Sequence, residues 1–313
     1  DDRKVPLMGV LGAFIFAAQM INFTIPATGS SGHLGGGLLL TILLGPHAAF
    51  LTIASVLVVQ SLFFADGGIL ALGCNIFNLG FFPAFIAYPL IYRVIAGREP
   101  GKARLTAAAM IAAVVGLQLG AFSVVLETVA SGISSLPFAT FVVLMQPIHL
   151  AIGIVEGLVT AAVVSFVAVA RPEIIRGATE SVSLGSLPLR NVFLSFLAAA
   201  LLTGGVVSWF ASENPDGLEW AIAKVTGAEE VTGGEEGLHA MLASWQEKLA
   251  FMPDYSFKQE AAPVEEGVAY AGETKADEAA RLGTSVAGGV GALICLALAF
   301  VIGFALKRLE QTA

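Results

Sequence analysis

The residues of this chain predict an all-α, polytopic membrane protein. Three observations carry that class. Of its 313 residues, 56% are hydrophobic and 13% are charged, about half the ~25% charge usual in soluble domains. Apolar runs close to the ~20 residues of a bilayer crossing recur along the chain. Short clusters of Gly, Pro and charge punctuate them.

The formal net charge of −8 argues against nucleic acid as a partner. Much of the acidity lies between Ser212 and Asp277, so it describes one loop rather than a whole surface. Cys74 and Cys295 both sit in apolar runs and spell neither a disulfide framework nor a Cys-based metal motif. The chain opens at Asp1 without an initiator Met, and an apolar run starts within a few residues. A preceding segment is therefore expected.

Taken in order, residues 5–23 form the first span, with Gln19 and Asn22 near its far end. A Gly/Ser-rich break follows, Thr28-Gly29-Ser30-Ser31-Gly32-His33-Leu34-Gly35-Gly36-Gly37. Residues 35–44 are apolar but short, and Gly45-Pro46-His47 ends them. Residues 48–64 make another long run, broken by Asp66-Gly67-Gly68. Residues 69–92 span again and contain Asn75 and Asn78. A basic loop carries Arg93, Arg98, Lys102 and Arg104. Residues 105–126 span and end at Glu127. Residues 138–170 form a long apolar stretch expected to break at Pro147 and His149. A second basic, Ser-rich linker runs from Arg171 to Arg190. Residues 191–210 and 285–306 are the last two spans, joined by a polar loop, and Lys307-Arg308 flank the second.

Lys and Arg placement sets the expected topology. The two basic loops, the N-terminal flank Arg3-Lys4 and Lys307-Arg308 all belong to the cytoplasmic side of a prokaryotic plasma membrane. The arithmetic closes with six crossings before Arg171 and two after it, provided that residues 35–44 count as a short, irregular inward crossing. Such a segment needs shielding by other helices. His33, Asp66-Gly67-Gly68 and Glu127 then share the outer face. The polar loop, about residues 212–283, is outside as well. In it, Asn214-Pro215-Asp216-Gly217-Leu218-Glu219-Trp220 starts with turn chemistry and continues into an amphipathic helix. Residues 238–251 have helical spacing, and residues 260–277 read as flexible.

Gly and Ser let the backbone around His33 leave regular helix. A neutral imidazole held there can donate a ring nitrogen to Ni²⁺, Co²⁺, Cu²⁺ or Zn²⁺. It can equally cap a helix or bond a neighbouring loop. One imidazole is too few for a planar nitrogen site, so further donors come from elsewhere.

Several stretches resemble one family. They are Val5-Pro6-Leu7-Met8-Gly9, Phe16-Ala17-Ala18-Gln19-Met20-Ile21-Asn22-Phe23, Ser31-Gly32-His33-Leu34-Gly35-Gly36, Asp66-Gly67-Gly68, Asn75-Ile76-Phe77-Asn78 and the run from Pro147 to Gly157. In this order they resemble the cobalt/nickel substrate-binding membrane subunit of energy-coupling factor transporters, the CbiM/NikM type. Pro215-Asp216-Gly217-Leu218-Glu219 resembles the small two-helix companion module fused to or paired with that subunit. The resemblance implies a non-enzymatic capture subunit for Co²⁺ or Ni²⁺, working with a transmembrane coupling subunit and cytoplasmic ATPases. It implies a capture domain over residues 1–172, a cytoplasmic linker over 173–190 and a companion module over 191–313. It also implies a ligand set of a Met-His start plus the His of the Ser-Gly-His motif. His33 matches that His, and the Met-His start is absent from a chain that opens Asp1-Asp2.

The other candidates each have two readings. Ser31, Asp66, Asn75 and Asn78 can support His33 from behind, or shape turns and bridge helices; Gln60 belongs with the bridging residues. Glu156 lies seven residues after His149 on nearly the same helical face, as a functional intramembrane carboxylate or a structural one. His149 reads as interfacial and structural. His47 falls at the cytoplasmic turn, and His239 in the polar loop. The small residues Ala107-Ala108-Ala109 and Ala112-Ala113 suit docking to a partner or packing inside the bundle. No phosphate-binding loop of the Walker A type is present, so ATP hydrolysis belongs to another chain. Two other functions are weighed. A self-sufficient ion channel or secondary transporter would favour an inverted repeat between halves, and none is readable. A membrane enzyme would need a nucleophile–base pair or a His-Glu-x-x-His motif, which four scattered histidines do not supply.

Overall fold

The computed structural model describes residues 4–97, 100–132, 136–180, 189–227, 237–258 and 271–312. Arg98, residues 181–188 of the linker, and residues 228–236 and 259–270 of the polar loop lie outside them.

The chain is an all-α, multi-pass membrane protein. Helices satisfy every backbone polar group within themselves, which apolar surroundings require. Five are long and apolar enough to cross a bilayer: Pro46–Phe63, Leu72–Ala96, Lys102–Ser131, Phe138–Ala170 and the Ala279–Leu306 part of the last helix. Lys4–Gln19 and Arg190–Gly205 are apolar with 16 residues each. Gly37–Leu44 has eight residues, and all eight are buried. The short segment is therefore a regular helix, enclosed by its neighbours.

Close backbone approach holds the bundle together. A Cβ at Gly153 would come within 3.0 Å of the Val114 Cα, and one at Gly157 within 2.9 Å of the Met110 Cα. Glycine at these positions lets Lys102–Ser131 and Phe138–Ala170 touch along their length, where packing rather than a hydrophobic drive holds helices together. Ala108, Ala109, Ala112 and Ala113 are buried in the same bundle, which assigns that face to internal packing.

The helix ends sort into two groups. At one end, a Cβ on Gly45 would meet the Ala178 carbonyl at 3.2 Å, and Tyr88 reaches Thr179. Arg93, Pro100 and Arg176 line one pocket there. At the other end lie His33, Asp66-Gly67-Gly68 and Glu127. Asn75 Nδ2 donates to the Gly67 carbonyl at 3.0 Å and Asn78 Nδ2 to Glu127 Oε2 at 2.8 Å.

Local structure departs from the sequence expectation in five places. Phe23–Ile25 and Ser30–Gly32 pair as a small antiparallel hairpin rather than an irregular loop. Pro147 sits inside an unbroken helix, a position that membrane helices tolerate. Residues Phe77–Tyr92 adopt the wider π-type winding around Pro83 and Pro89, which cannot donate to a helical ladder. Residues 172–180 of the expected linker region are helical, and the last helix starts at Ala271, inside the stretch read as flexible.

Candidate metal site

His33 follows directly on the second hairpin strand and is half-buried. Its Nδ1 lies 3.1 Å from the Leu34 carbonyl. A carbonyl only accepts, so Nδ1 is the donor in this contact, and the neutral form of such a ring has its lone pair on Nε2.

The loop after His33 is fixed by two buried side chains. Gly35 N–H donates to Glu156 Oε2 at 2.7 Å and Gly36 N–H to Glu156 Oε1 at 3.2 Å. Gln19 Nε2 donates to the Gly35 carbonyl at 2.9 Å. Gly36 has φ +75° and offers no side-chain cap to the helix that starts at Gly37. The Glu156 carboxylate takes that role from another helix, at the positive end of the backbone dipoles. At Gly37 a Cβ would stand 2.2 Å from the Leu79 carbonyl, so only glycine admits the helix this close. Glu156 is thus structural toward the His33 loop.

A cavity of about 140 Å³ opens beside this loop. His33, Asn75, Asn78, His149, Asp216 and Gly217 are among the residues that line it. It has room for a cation and a few of its waters. His149 Nδ1 lies 2.8 Å from the Met145 carbonyl, so this ring too keeps Nε2 free. Asn78 gives its Nδ2 to Glu127, and its buried Oδ1 has no partner. Each Glu127 oxygen accepts one side-chain donor, since Oε1 accepts the Ser123 hydroxyl at 3.0 Å.

The other sequence candidates take different places. Ser31 holds the second module: its N–H donates to the Pro215 carbonyl at 2.7 Å and its hydroxyl to the Asn214 carbonyl at 2.7 Å. Asp66 is bonded away from the cavity, its Oδ2 accepting the Tyr255 hydroxyl, and Gln60 Nε2 donates to the same hydroxyl at 3.2 Å. Asn75 lines the cavity while bracing Gly67. His47 packs on Phe85 at the opposite end, and His239 lies on the Leu238–Leu249 helix. Cys74 and Cys295 are free thiols. Among the described residues, no three His, Cys, Asp or Glu side chains cluster as a metal site.

Four contributors were not legible as such in the sequence. Gln19 showed only as a polar residue in an apolar run. His149 read as interfacial and structural, and its place in the wall of the His33 cavity was not visible. Asp216 and Gly217 read as turn chemistry, and they are also cavity wall. Asp216 caps the Gly217–Thr226 helix: its Oδ1 accepts from Leu218 N–H at 2.7 Å and Glu219 N–H at 2.8 Å, and Glu219 Oε2 accepts from Asp216 N–H at 2.9 Å.

Residues 1–174 match the family described as the cobalt uptake substrate-specific transmembrane region. The chain belongs to this family. Residues 190–308 match the PDGLE domain, so the family's transmembrane region is fused here to a second module. The chain is 36% identical over 317 residues to a putative fused nickel transport protein of Archaeoglobus fulgidus, covering 99% of this chain and 88% of that one. It is 28% identical over 174 residues to a cobalt transport protein of Sorangium cellulosum, covering 54% of this chain and 76% of the relative. A solved structure described as a transition metal transporter aligns over 54% of this chain and 78% of its own, with 31% identity and a TM-score of 0.47.

Proposed function

We propose that this chain is the substrate-specific subunit of a transition-metal importer and that it captures Co²⁺ or Ni²⁺ at the His33 cavity. The observation that carries the reading is the His33 loop. It presents an imidazole with Nδ1 committed and Nε2 free, in a Gly-rich segment held by Glu156 and Gln19. Imidazole nitrogen suits Ni²⁺ and Co²⁺, whereas Mg²⁺ and Ca²⁺ select oxygen. A planar site needs about four donors, so His33 acts together with others. The nickel and cobalt names of the relatives agree with this pair of cations.

In this reading residues 1–172 are the capture domain, 173–190 a cytoplasmic linker and 191–313 a companion module with an outer loop at about 212–283. The basic residues around Arg93–Arg104 and Arg171–Arg190 face the cytoplasm of a prokaryotic cell. That puts His33 outside and the C-terminus inside. The chain performs no chemistry of its own. A transmembrane coupling subunit and cytoplasmic ATPases of an energy-coupling factor transporter drive import, in keeping with a sequence that has no phosphate-binding loop.

Reconstitution tests this directly. Proteoliposomes holding this chain, the coupling subunit and the ATPases should take up radioactive nickel or cobalt only with ATP. Equal uptake by this chain alone, without ATP, would replace the reading with a self-sufficient channel or secondary transporter.

A further inference from the structure

The second module does more than sit on the first. Its turn is tied to the hairpin that precedes His33: Ser212 N–H donates to the Asn22 carbonyl at 2.7 Å, Ser31 bonds Asn214 and Pro215, and Trp220 Nε1 donates to the Thr28 carbonyl at 3.0 Å. This seats Asp216 and Gly217 in the wall of the cavity that His33 and His149 also line. The contact with His149 is close. A Cβ on Gly217 would stand 3.1 Å from the His149 ring and 2.9 Å from Ile148, so the glycine of the motif is what lets the turn approach the imidazole.

Most acidic oxygens around the cavity are already spoken for. Both Glu156 oxygens accept backbone N–H groups, and both Glu127 oxygens accept side-chain donors. Asp216 differs. Its two capping bonds go to Oδ1, and Oδ2 accepts none among the described residues. Among the described residues, the wall therefore holds one carboxylate oxygen and the Asn78 amide oxygen without hydrogen-bond partners, together with the Nε2 atoms of His149 and His33.

We propose that Asp216 and His149 form a loading station for the divalent cation on the second module's side of this cavity, where it exchanges its first waters before reaching His33. This inference rests on the capture reading above. The chemistry fits a transit site. A carboxylate attracts a hydrated dication, and one imidazole gives a first nitrogen bond. A mixed oxygen and nitrogen perch holds Ni²⁺ or Co²⁺ more loosely than a planar nitrogen site. A path needs such a step, favourable enough to enter and weak enough to leave. The module thereby supplies a charged side chain to the cation's route, beyond any part it has in regulation.

The test is stopped-flow Co²⁺ binding to the complete encoded protein in lipid nanodiscs, followed by visible absorbance at several salt concentrations. Asp216→Asn keeps the helix cap, since Asn ranks with Asp there, and removes only the charge. His149→Gln removes the ring nitrogen. Both should slow association by about tenfold, and Asp216→Asn should flatten its salt dependence, which a merely structural role would not do. Wild-type association rates and wild-type salt dependence in both variants would overturn the proposal. If His33→Ala abolishes binding while those two variants bind normally, the loading station is wrong and the capture reading stands. If the wild-type protein binds neither Co²⁺ nor Ni²⁺, both fall together.

Discussion

Glu156→Gln is the substitution that most directly separates a structural carboxylate from an idle one. The glutamate accepts one N–H on each oxygen, from Gly35 at 2.7 Å and Gly36 at 3.2 Å. Gln keeps a single oxygen and turns an NH₂ group toward a second donor. At least one bond is lost, and the negative charge at the start of the Gly37–Leu44 helix goes with it. A hydrogen bond to a charged group contributes about 1.5–3 kcal/mol, and a buried donor left unpaired costs about 1–3 kcal/mol. At ~1.4 kcal/mol per factor of ten, losing one bond makes local opening about 10–100-fold more frequent. Glu156→Ala loses both bonds and should move it about 100-fold or more by the same reasoning. Hydrogen–deuterium exchange of the peptide covering Gly35 and Gly36 reads this opening. Metal affinity should fall alongside it by about 10–100-fold, as is usual when the partner that orients a ligand is removed. Unchanged exchange and unchanged affinity in both variants would refute the capping role.

Three further outcomes are expected. Tyr255 stacks on Phe64 at 5.2 Å, and its backbone, like that of Asp254, has positive φ, a strained pair that the hydroxyl bonds to Asp66 and Gln60 help hold. Tyr255→Phe should therefore loosen residues 250–257 from the end of the Pro46–Phe63 helix, seen as faster proteolysis of the polar loop; resistance equal to wild type would contradict this. Burial, then the neighbouring Asp66 carboxylate, pushes the Tyr255 hydroxyl well above its usual range. A raised acid contributes stability that is complete below the free tyrosine value of ~10 and is lost as pH climbs through the folded value. Docking of this segment should therefore persist to about pH 10 and weaken only in stronger alkali, and Tyr255→Phe should lack that alkaline step. At Gly37, substitution by Ala would set a Cβ 2.2 Å from the Leu79 carbonyl. Overpacking of this kind costs about 1–3 kcal/mol, so the variant should unfold several degrees lower in a thermal scan; an unshifted transition would mean the Leu72–Ala96 helix yields freely.

What the sequence made legible follows from distance along the chain. The five long apolar helices read well, because apolar length is a local property. Residues 35–44 were recognisable as a short segment needing cover, since ten apolar residues cannot reach across a bilayer. The turn at Asn214–Asp216 was legible because a capping box is written in four consecutive residues. The hairpin was not, because Ser30-Ser31-Gly32 lacks the apolar and branched residues that mark strands. The partner of Glu156 lies 121 residues away, and that of Asp66 189 residues away, so no local pattern could link them. Asp66 and Ser31 attracted attention for the His33 loop, and both turn out to bond the second module. That His149 lines the His33 cavity was hidden for a related reason: the Gly217 turn packed against it comes from the far end of the chain.

The most direct test of the central claim is a calorimetric Ni²⁺ titration of the complete encoded protein, wild type against His33→Ala. The His33 loop should fold normally without the ring, because Glu156 and Gln19 hold its backbone rather than its side chain. One tight site is expected in the wild type and none in the variant. An unchanged affinity in His33→Ala would show that the cation is held elsewhere, and would remove His33 from the capture site altogether.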